Sequence, residues 1–441
     1  MRKWILLVVV LALALGAMGV SAQDDLSAVD PSGQTIKYWN QYGKGAQFDT
    51  MNAFVADFNT NNEWKITVES TSPGSYPDIR TAVSNGIVSG ELPNLAAGYN
   101  NDALSWGLDD SVVDLEPYFN DTKWGFTDDE KADLNLDALN IFVTADGKRL
   151  GWVNQLSAEV EVVNLGLLKA LGFDAAPKTL DEFKAVACAA AKSDQKGAGD
   201  AAVQGFPVMA DASQFESFVA GIGGGIWKDD KWDFTNAESV QVLQFLQDLY
   251  KEGCAYIPSA AFGNTADFAL GTNPMALTSS AGIPFITGDI NDPAKGNKLV
   301  TDWAVTTTPS AKEGDKPVLQ LFSPGVIMLQ GTPEQNLATW LFIKYLAKPE
   351  NQAKWTQATS YFPISKAAAA QLGEMNPYFS TVNDGLANGD YDLYVSPQVL
   401  SYGAIRDILA TGIADVTAND MDVATVAQRM TDDANKALVD G

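Results

Sequence analysis

The chain has 441 residues, 46% hydrophobic and 19% charged, with 29 Lys and Arg against 55 Asp and Glu. That composition is globular rather than disordered, and a net charge of −26 argues against a nucleic-acid partner because it repels phosphate backbones. Histidine is absent, which excludes a Ser-His-Asp triad, a Cys-His dyad and an imidazole zinc site.

Met1-Arg2-Lys3 is a positive start, Ile5 to Val20 carries no charge, and Val20-Ser21-Ala22 precedes the polar Gln23-Asp24-Asp25. This layout predicts a secretory signal peptide over residues 1–22, cut after Ala22; the alternative is an uncleaved membrane anchor. Loss of Arg2 and Lys3 leaves 27 basic against 55 acidic residues, a mature charge of −28. No cysteine stands near the cut for a lipoprotein anchor, and no later run reaches the ~20 apolar residues of a membrane span. The expected product is soluble and exported, periplasmic or extracellular. In an oxidising compartment Cys188 and Cys254 are expected to form a disulfide, worth ~4 kcal/mol in the chain-entropy account. Two buried free thiols are the other reading.

Taken in chain order, Thr35 to Trp39 reads as a strand ending in the polar loop Asn40 to Gly45. Phe48, Met51, Phe54, Val55 and Phe58 then recur at helical spacing. Lys65 to Glu69 alternates as a half-buried strand, Ile79, Val83, Ile87 and Val88 mark a second helix, and Asn94 to Gly98 a third strand. Such βαβαβ order predicts a parallel sheet with ligands at its carboxyl ends. The alternation restarts at Glu159 to Asn164. Thr179 to Glu182 has capping-box spacing, Asn236 to Gly253 is a long amphipathic helix, and Thr332-Pro333 opens another. Two α/β lobes are expected, without repeats or a low-complexity linker.

Signatures of catalysis are sparse. There is no Gly-x-Ser-x-Gly, no phosphate-binding loop and no calcium-loop spacing. Gly221 to Gly225 reads as a tight turn, and Thr127-Asp128-Asp129-Glu130 as a helix start rather than a metal cluster. Paired carboxylates of a secreted carbohydrate-active enzyme are the rival functional reading; a structural or adhesive protein is a third. Trp39, Tyr42, Tyr76, Tyr99, Trp152, Trp227 and Tyr361 fall at expected loop positions beside glycine, proline, asparagine or glutamine. Together they suggest a polar ligand pocket, since an aromatic face stacks on the C–H side of a sugar.

The order of segments resembles the extracellular solute-binding proteins of ABC importers, in the group that handles carbohydrates. The pieces that carry the resemblance are Ile36 to Trp39, Gly74-Ser75-Tyr76, Gly90 to Asn94, Val113 to Tyr118, Glu161 to Asn164 and Leu171-Gly172-Phe173. Further pieces are Pro177-Lys178-Thr179, Glu182-Phe183, Trp340 to Asn351, Trp355 and Thr359 to Ile364. Gly74 to Tyr76, Thr278 to Gly282 and Ala404-Ile405-Arg406 are similar to the glycerol-3-phosphate-binding branch, where such residues contact the ligand. Departures are Trp152-Val153-Asn154 for Leu-Pro-Phe, Ser323-Pro324-Gly325 for a double glycine, and Asp211, Gln214 and Glu216 where a tryptophan pair is usual. The extra acids suit a neutral, hydroxyl-rich ligand better than a phosphate, with Arg406 either a phosphate ligand or an ion-pair partner.

The resemblance implies an α/β, periplasmic binding protein-like type II fold: two hinged lobes with the ligand in the cleft between them. The expected lobes are residues 33–153 with 272–318, and residues 154–271 with 319–441. The expected ligand set is Trp39, Tyr42, Tyr76, Tyr99, Asn100, Trp152, Asn154, Asp211, Trp227, Ser279, Ser280, Gly325, Tyr361 and Arg406. No metal, cofactor or catalytic residue is implied. The implied partners are a small carbohydrate or polyol and the transmembrane subunits of a permease, with the chain monomeric.

Overall fold

The computed structural model describes residues 26–260, 262–292 and 300–440. The expected signal peptide, residues 1–22, lies outside them. Among the described residues no helix is long and apolar enough to cross a membrane.

Strand β1 (Thr35–Trp39) alternates as expected, with Ile36 and Tyr38 buried and Thr35 and Lys37 exposed. Helix α1 (Gly45–Asn61) packs Met51, Phe54, Val55 and Phe58 inward. Strand β2 (Thr67–Thr71) starts two residues later than the sequence pattern suggests. The cause is local: Lys65 turns through a positive φ of 54° while the Asn62 side chain accepts the Ile66 N–H at 2.7 Å, so a turn occupies Asn62 to Ile66. Helix α2 (Tyr76–Ser89) opens on a Ser75–Asp78 capping box and stops at Gly90, whose φ of 78° needs no Cβ. Strand β3 (Leu95–Gly98), helix α3 (Asn100–Gly107) and the short strand β4 (Trp152–Val153) follow.

The chain then passes through Asn154, Gln155 and Leu156 into β5 (Ser157–Val163), buried at all seven positions. Helices α4 (Leu180–Ala191), α5 (Ala212–Gly221), α6 (Ala237–Lys251) and α7 (Gly263–Ala269) come next. Strand β6 (Met275–Ser279), α8 (Ile283–Asn291), β7 (Ala304–Thr306) and β8 (Val318–Phe322) lead to β9 (Gly325–Met328). The remainder is α9 (Pro333–Leu346), α10 (Pro349–Thr359), α11 (Pro377–Asn388), β10 (Asp392–Val395), α12 (Tyr402–Thr417) and α13 (Val423–Asp440). The capping box expected at Thr179 is formed, and the helix starts expected at Thr127 and Thr332 carry capping boxes too.

The first sheet has the order β2-β1-β3-β9-β4. Its β1, β2 and β3 are parallel, as expected, but β9 enters antiparallel between β3 and β4. The second sheet runs β6-β5-β8-β10, with β7 also on β5, and three of its pairings are antiparallel. This pairing corrects the expected lobe segments. Met275–Ser279 belongs to the second sheet through β5, and Gly325–Met328 to the first through β3. A strand's neighbours cannot be read from its own hydrophobic pattern.

The backbone therefore crosses between sheets at Asn154–Leu156, again at Ser323–Pro324, and a third time after α10. There the Phe362 N–H bonds to the Leu156 carbonyl at 2.7 Å, joining two of the crossings. The first core lies under the first sheet and continues to Ala158, Val160 and Val162 of β5. The second gathers Phe183, Phe206, Phe215, Phe218, Trp232 and Phe234 with the apolar faces of α6, α12 and α13.

Cys188 of α4 and Cys254, which follows α6, form a disulfide across a sequence separation of 66. Restraint of the unfolded chain by a loop of that size predicts that the double variant Cys188→Ser/Cys254→Ser loses about 4 kcal/mol of unfolding free energy. Guanidinium titration of the two proteins checks this.

Candidate functional site

Five tyrosines converge where the first sheet meets the crossings. Tyr42 follows β1, Tyr99 caps α3 directly after β3, and Tyr76 opens α2; these are loops at the carboxyl ends of parallel strands. Tyr76 and Tyr99 rings meet at 5.0 Å. Tyr361, after α10, stacks on Trp355 with 1° between planes, while Tyr42 meets the same tryptophan edge-on at 5.4 Å. Tyr38 reaches the group from β1, its buried hydroxyl beside Tyr42 and Asn154. Neither the Tyr38 nor the Tyr42 hydroxyl has an aligned hydrogen-bond partner. Burial pushes all five phenols above their ordinary range, so they stay protonated as donors.

Gln155, fully buried in the first crossing, ties this group to the hinge. Its Oε1 accepts from the Tyr76 hydroxyl at 3.0 Å and from Gln41 Nε2 at 2.6 Å, and its Nε2 donates to Asn154 Oδ1 at 3.3 Å.

The facing wall belongs to the second lobe. Asp211 caps α5, its Oδ1 accepting the Ser213 N–H at 2.8 Å. Its Oδ2 accepts from Arg406 Nη2 of α12 at 2.9 Å, and Arg406 Nη1 reaches Ser213 Oγ at 3.3 Å. The positive charge of Arg406 acts on Tyr99 of the first lobe, so the pair looks across the cleft. Behind it, Glu216 accepts from the Tyr402 hydroxyl at 2.5 Å and the Tyr394 hydroxyl at 3.0 Å. Glu159 of β5 is pushed up to about 8, chiefly by burial and next by Asp211, with Arg406 opposing.

Of the expected set, Tyr42, Tyr76, Tyr99, Asn154 and Tyr361 thus gather at the crossings and Asp211 and Arg406 pair on the second lobe, with the partly buried Trp39 at the end of β1. Others of the expected set are engaged in the fold, and Ser279 stands opposite Glu159 in the β6–β5 pairing. Trp152 is fully buried, stacked on Phe126 at 5.2 Å and edge-on to Trp340; its apolar surroundings make it core, which corrects the ligand expectation. Asn100 donates to the Ile141 carbonyl and holds α3 in place. Gly325 is a packing glycine, since a Cβ there would lie 2.4 Å from the Trp152 carbonyl oxygen. Ser280 is fully buried and its Oγ accepts the Ala158 N–H at 3.2 Å, while Ser279 caps the turn into α8 through the Ala281 N–H. Trp227 packs edge-on against Trp232, which lies parallel to Tyr402.

Sequence reasoning missed Tyr38, Gln41, Gln155 and Glu159. The signal for Glu159 was present: Glu159 and Glu161 alternate with valine and alanine in a strand otherwise fit for complete burial. Glu161 is fully buried with neither oxygen hydrogen-bonded, and burial raises it well above the usual carboxylate range.

A groove of about 750 Å³ also lies on the outer face of the first lobe, lined by Trp64, Trp124, Lys344 and Tyr345 among others. Two of its polar aromatic atoms are already engaged: Trp124 donates to the Leu26 carbonyl and Tyr345 to Asp57. The buried Tyr38 and Tyr42 hydroxyls, without an aligned partner, belong instead to the tyrosine group at the crossings.

The raised carboxyls fix the sign of a pH effect. A carboxyl whose folded value exceeds its unfolded one binds protons more tightly when folded, so stability falls as pH rises between the two values. For Glu159 that window runs from 4.5 to about 8, and Glu161 and Glu216 act in the same direction. Unfolding free energy is expected to decline across this range, and Glu159→Gln to remove up to ~1.4 kcal/mol per pH unit of the slope. Denaturant titrations at several pH values check it.

A model of the bacterial extracellular solute-binding proteins matches residues 53–381. The sn-glycerol-3-phosphate-binding periplasmic protein UgpB of Escherichia coli K12 is 23% identical over 360 residues, spanning 80% of this chain and 78% of the relative. Among solved structures, UgpB of Mycobacterium tuberculosis in complex with glycerophosphocholine has a TM-score of 0.75 at 16% identity, covering 93% of this chain and 99% of that one. The cyclic α-maltosyl-1,6-maltose binding protein of Arthrobacter globiformis has a TM-score of 0.71 at 19% identity, covering 92% and 99%. These likenesses show the two-lobe type II periplasmic binding fold. With most of its length matched by the family model, the chain belongs to the bacterial extracellular solute-binding proteins.

Proposed function

We propose that the protein is the substrate-binding component of an ABC importer, capturing a sugar or related polyol in the interlobe cleft and delivering it to a membrane permease. The observation that carries this reading is the meeting of two unlike walls at the crossings. Tyrosine rings and buried phenol donors come from one lobe, and the Arg406–Asp211 pair comes from the other. Aromatic faces match the C–H side of a sugar ring, and fixed donors and acceptors match its hydroxyls. Relatives named for glycerol phosphate and for maltose-type ligands support the same class.

The mechanism is capture without chemistry. Ligand contacts shared by both lobes favour the closed form, because only closure lets both walls engage at once. Gln155 sits in a crossing segment and bonds to Tyr76, which links occupancy of the cleft to the hinge backbone. The lobes proposed from sheet membership are residues 35–153 with 325–370, and residues 157–322 with 377–440. We place signal-peptide cleavage after Ala22 and take the mature protein to act as a monomer, without metal or cofactor.

A thermal-shift screen with mono- and oligosaccharides and polyols tests this. A ligand at 1,000 times its Kd adds about 4 kcal/mol, and small-angle scattering should show compaction with the same ligand. Tyr76→Ala should weaken that ligand at least about tenfold, or 1.4 kcal/mol, with the fold intact by circular dichroism. Absence of both stabilisation and compaction across the panel would overturn the proposal, and turnover of a glycoside would favour the enzyme reading.

A further inference from the structure

The Arg406–Asp211 pair carries an inference about ligand charge that rests on the cleft being the binding site. We propose that Asp211 makes the protein selective for uncharged, hydroxyl-rich ligands by occupying the Arg406 guanidinium, which would otherwise receive a phosphate ester.

The geometry is specific. Arg406 donates to Asp211 at 2.9 Å and to Ser213 at 3.3 Å. The two charged side chains keep 39% and 43% of their surface exposed, so the pair is not sealed in the core. The other arginine near the tyrosines, Arg80, is matched in the same way by Asp102 at 2.5 Å, and Asp102 also accepts the Tyr99 N–H at 2.9 Å. Glu159 adds a further carboxyl beside Asp211 and Arg406, and Glu216 adds one behind them. The cations that act on these groups are themselves paired: Arg406 and Arg80 on Tyr99, and Arg406 on Glu159 and Glu216.

A phosphate dianion is bound strongly by a guanidinium whose N–H groups are free to form two parallel charge-assisted bonds. Here one of the outer nitrogens is already bonded to a carboxylate, and a phosphate placed against it would bring its oxygens towards Asp211, acceptor against acceptor. A hydroxyl-rich ligand meets no such conflict. One hydroxyl of a vicinal diol donates to Asp211 while its neighbour accepts from Arg406, so the pair serves as a matched donor and acceptor. The same residues that weaken a phosphate site thus complete a diol site.

Asp211→Asn is the discriminating variant, because asparagine caps a helix as well as aspartate does and the Ser213 N–H keeps its acceptor. Isothermal titration calorimetry of the full secreted chain with sn-glycerol 3-phosphate, inorganic phosphate and the neutral ligand from the screen reads the outcome. Wild type is expected to bind the neutral ligand and to give no saturable heat with either phosphate at millimolar concentration. Asp211→Asn should gain at least about tenfold in affinity for sn-glycerol 3-phosphate. That gain should fade as salt rises and vanish when Arg406→Ala is added. Wild type binding sn-glycerol 3-phosphate more tightly than any neutral ligand would overturn the inference. So would a folded Asp211→Asn, and a folded Asp211→Ala beside it, with no gain. In either case Tyr76→Ala separates the two levels: if it weakens wild-type binding the cleft stands and only the charge selectivity falls, whereas unchanged binding removes the cleft itself.

Discussion

The first sheet is not closed by neighbours in sequence. Between β3 and β4 lies a gap filled only when Gly325–Met328 returns from the second lobe and pairs antiparallel with both. That one insertion has several dependents. It brings the Ser323–Pro324 crossing alongside Asn154–Leu156, and it requires glycine at 325 because the Trp152 carbonyl lies where a Cβ would stand. It also buries Trp152 against Phe126 and Trp340. The hinge is therefore a consequence of sheet closure: two lobes that exchange strands must be joined by more than one short segment. Adjacent segments of that kind are the arrangement about which closure of two lobes, as proposed above, would turn.

The cleft chemistry follows from where those segments run. Carboxyl ends of parallel strands deliver Tyr42 and Tyr99, the crossing itself supplies Asn154 and Gln155, and the segment after α10 brings Tyr361. Burial keeps the phenols protonated, and a protonated phenol in a dry site is a donor worth more than in water. On the other wall a carboxylate and a guanidinium oppose each other at the first turn of α5, where the acid also satisfies the helix N-terminus. Charge is present on that wall, but it is paired.

Local features were legible in the sequence because they depend on near neighbours. The helix starts at Thr127, Thr179 and Thr332 and the helical stripes of α1 and α6 are of this kind. The pairing of Cys188 with Cys254 was legible for another reason, the chain having two cysteines. The offset of β2 shows the limit: one asparagine side chain bonding Ile66 delays the strand by a turn. Strand partnership was not legible, so residues 275–279 and 325–328 were expected in the wrong lobes. Aromatic residues near loops pointed to Tyr76 and Tyr99 but equally to Trp152, whose burial depends on its pairing with the distant strand β9. Gln155 and Tyr38 were missed since nothing in a local pattern marks a glutamine or a strand tyrosine as facing a cleft.

The disulfide has a bearing on the cleft that its position in the second lobe does not advertise. It joins α4 to the end of α6, and α6 packs against both α5 and α12, the helices that present Asp211 and Arg406. The crosslink lies wholly within one lobe and leaves the crossings unrestrained. If the cleft works as proposed, oxidation state bears on the fineness of recognition and not on the ability to close: with the thiols reduced, the jaw would still swing, but the surface carrying the acid–base pair would rest on a softer foundation.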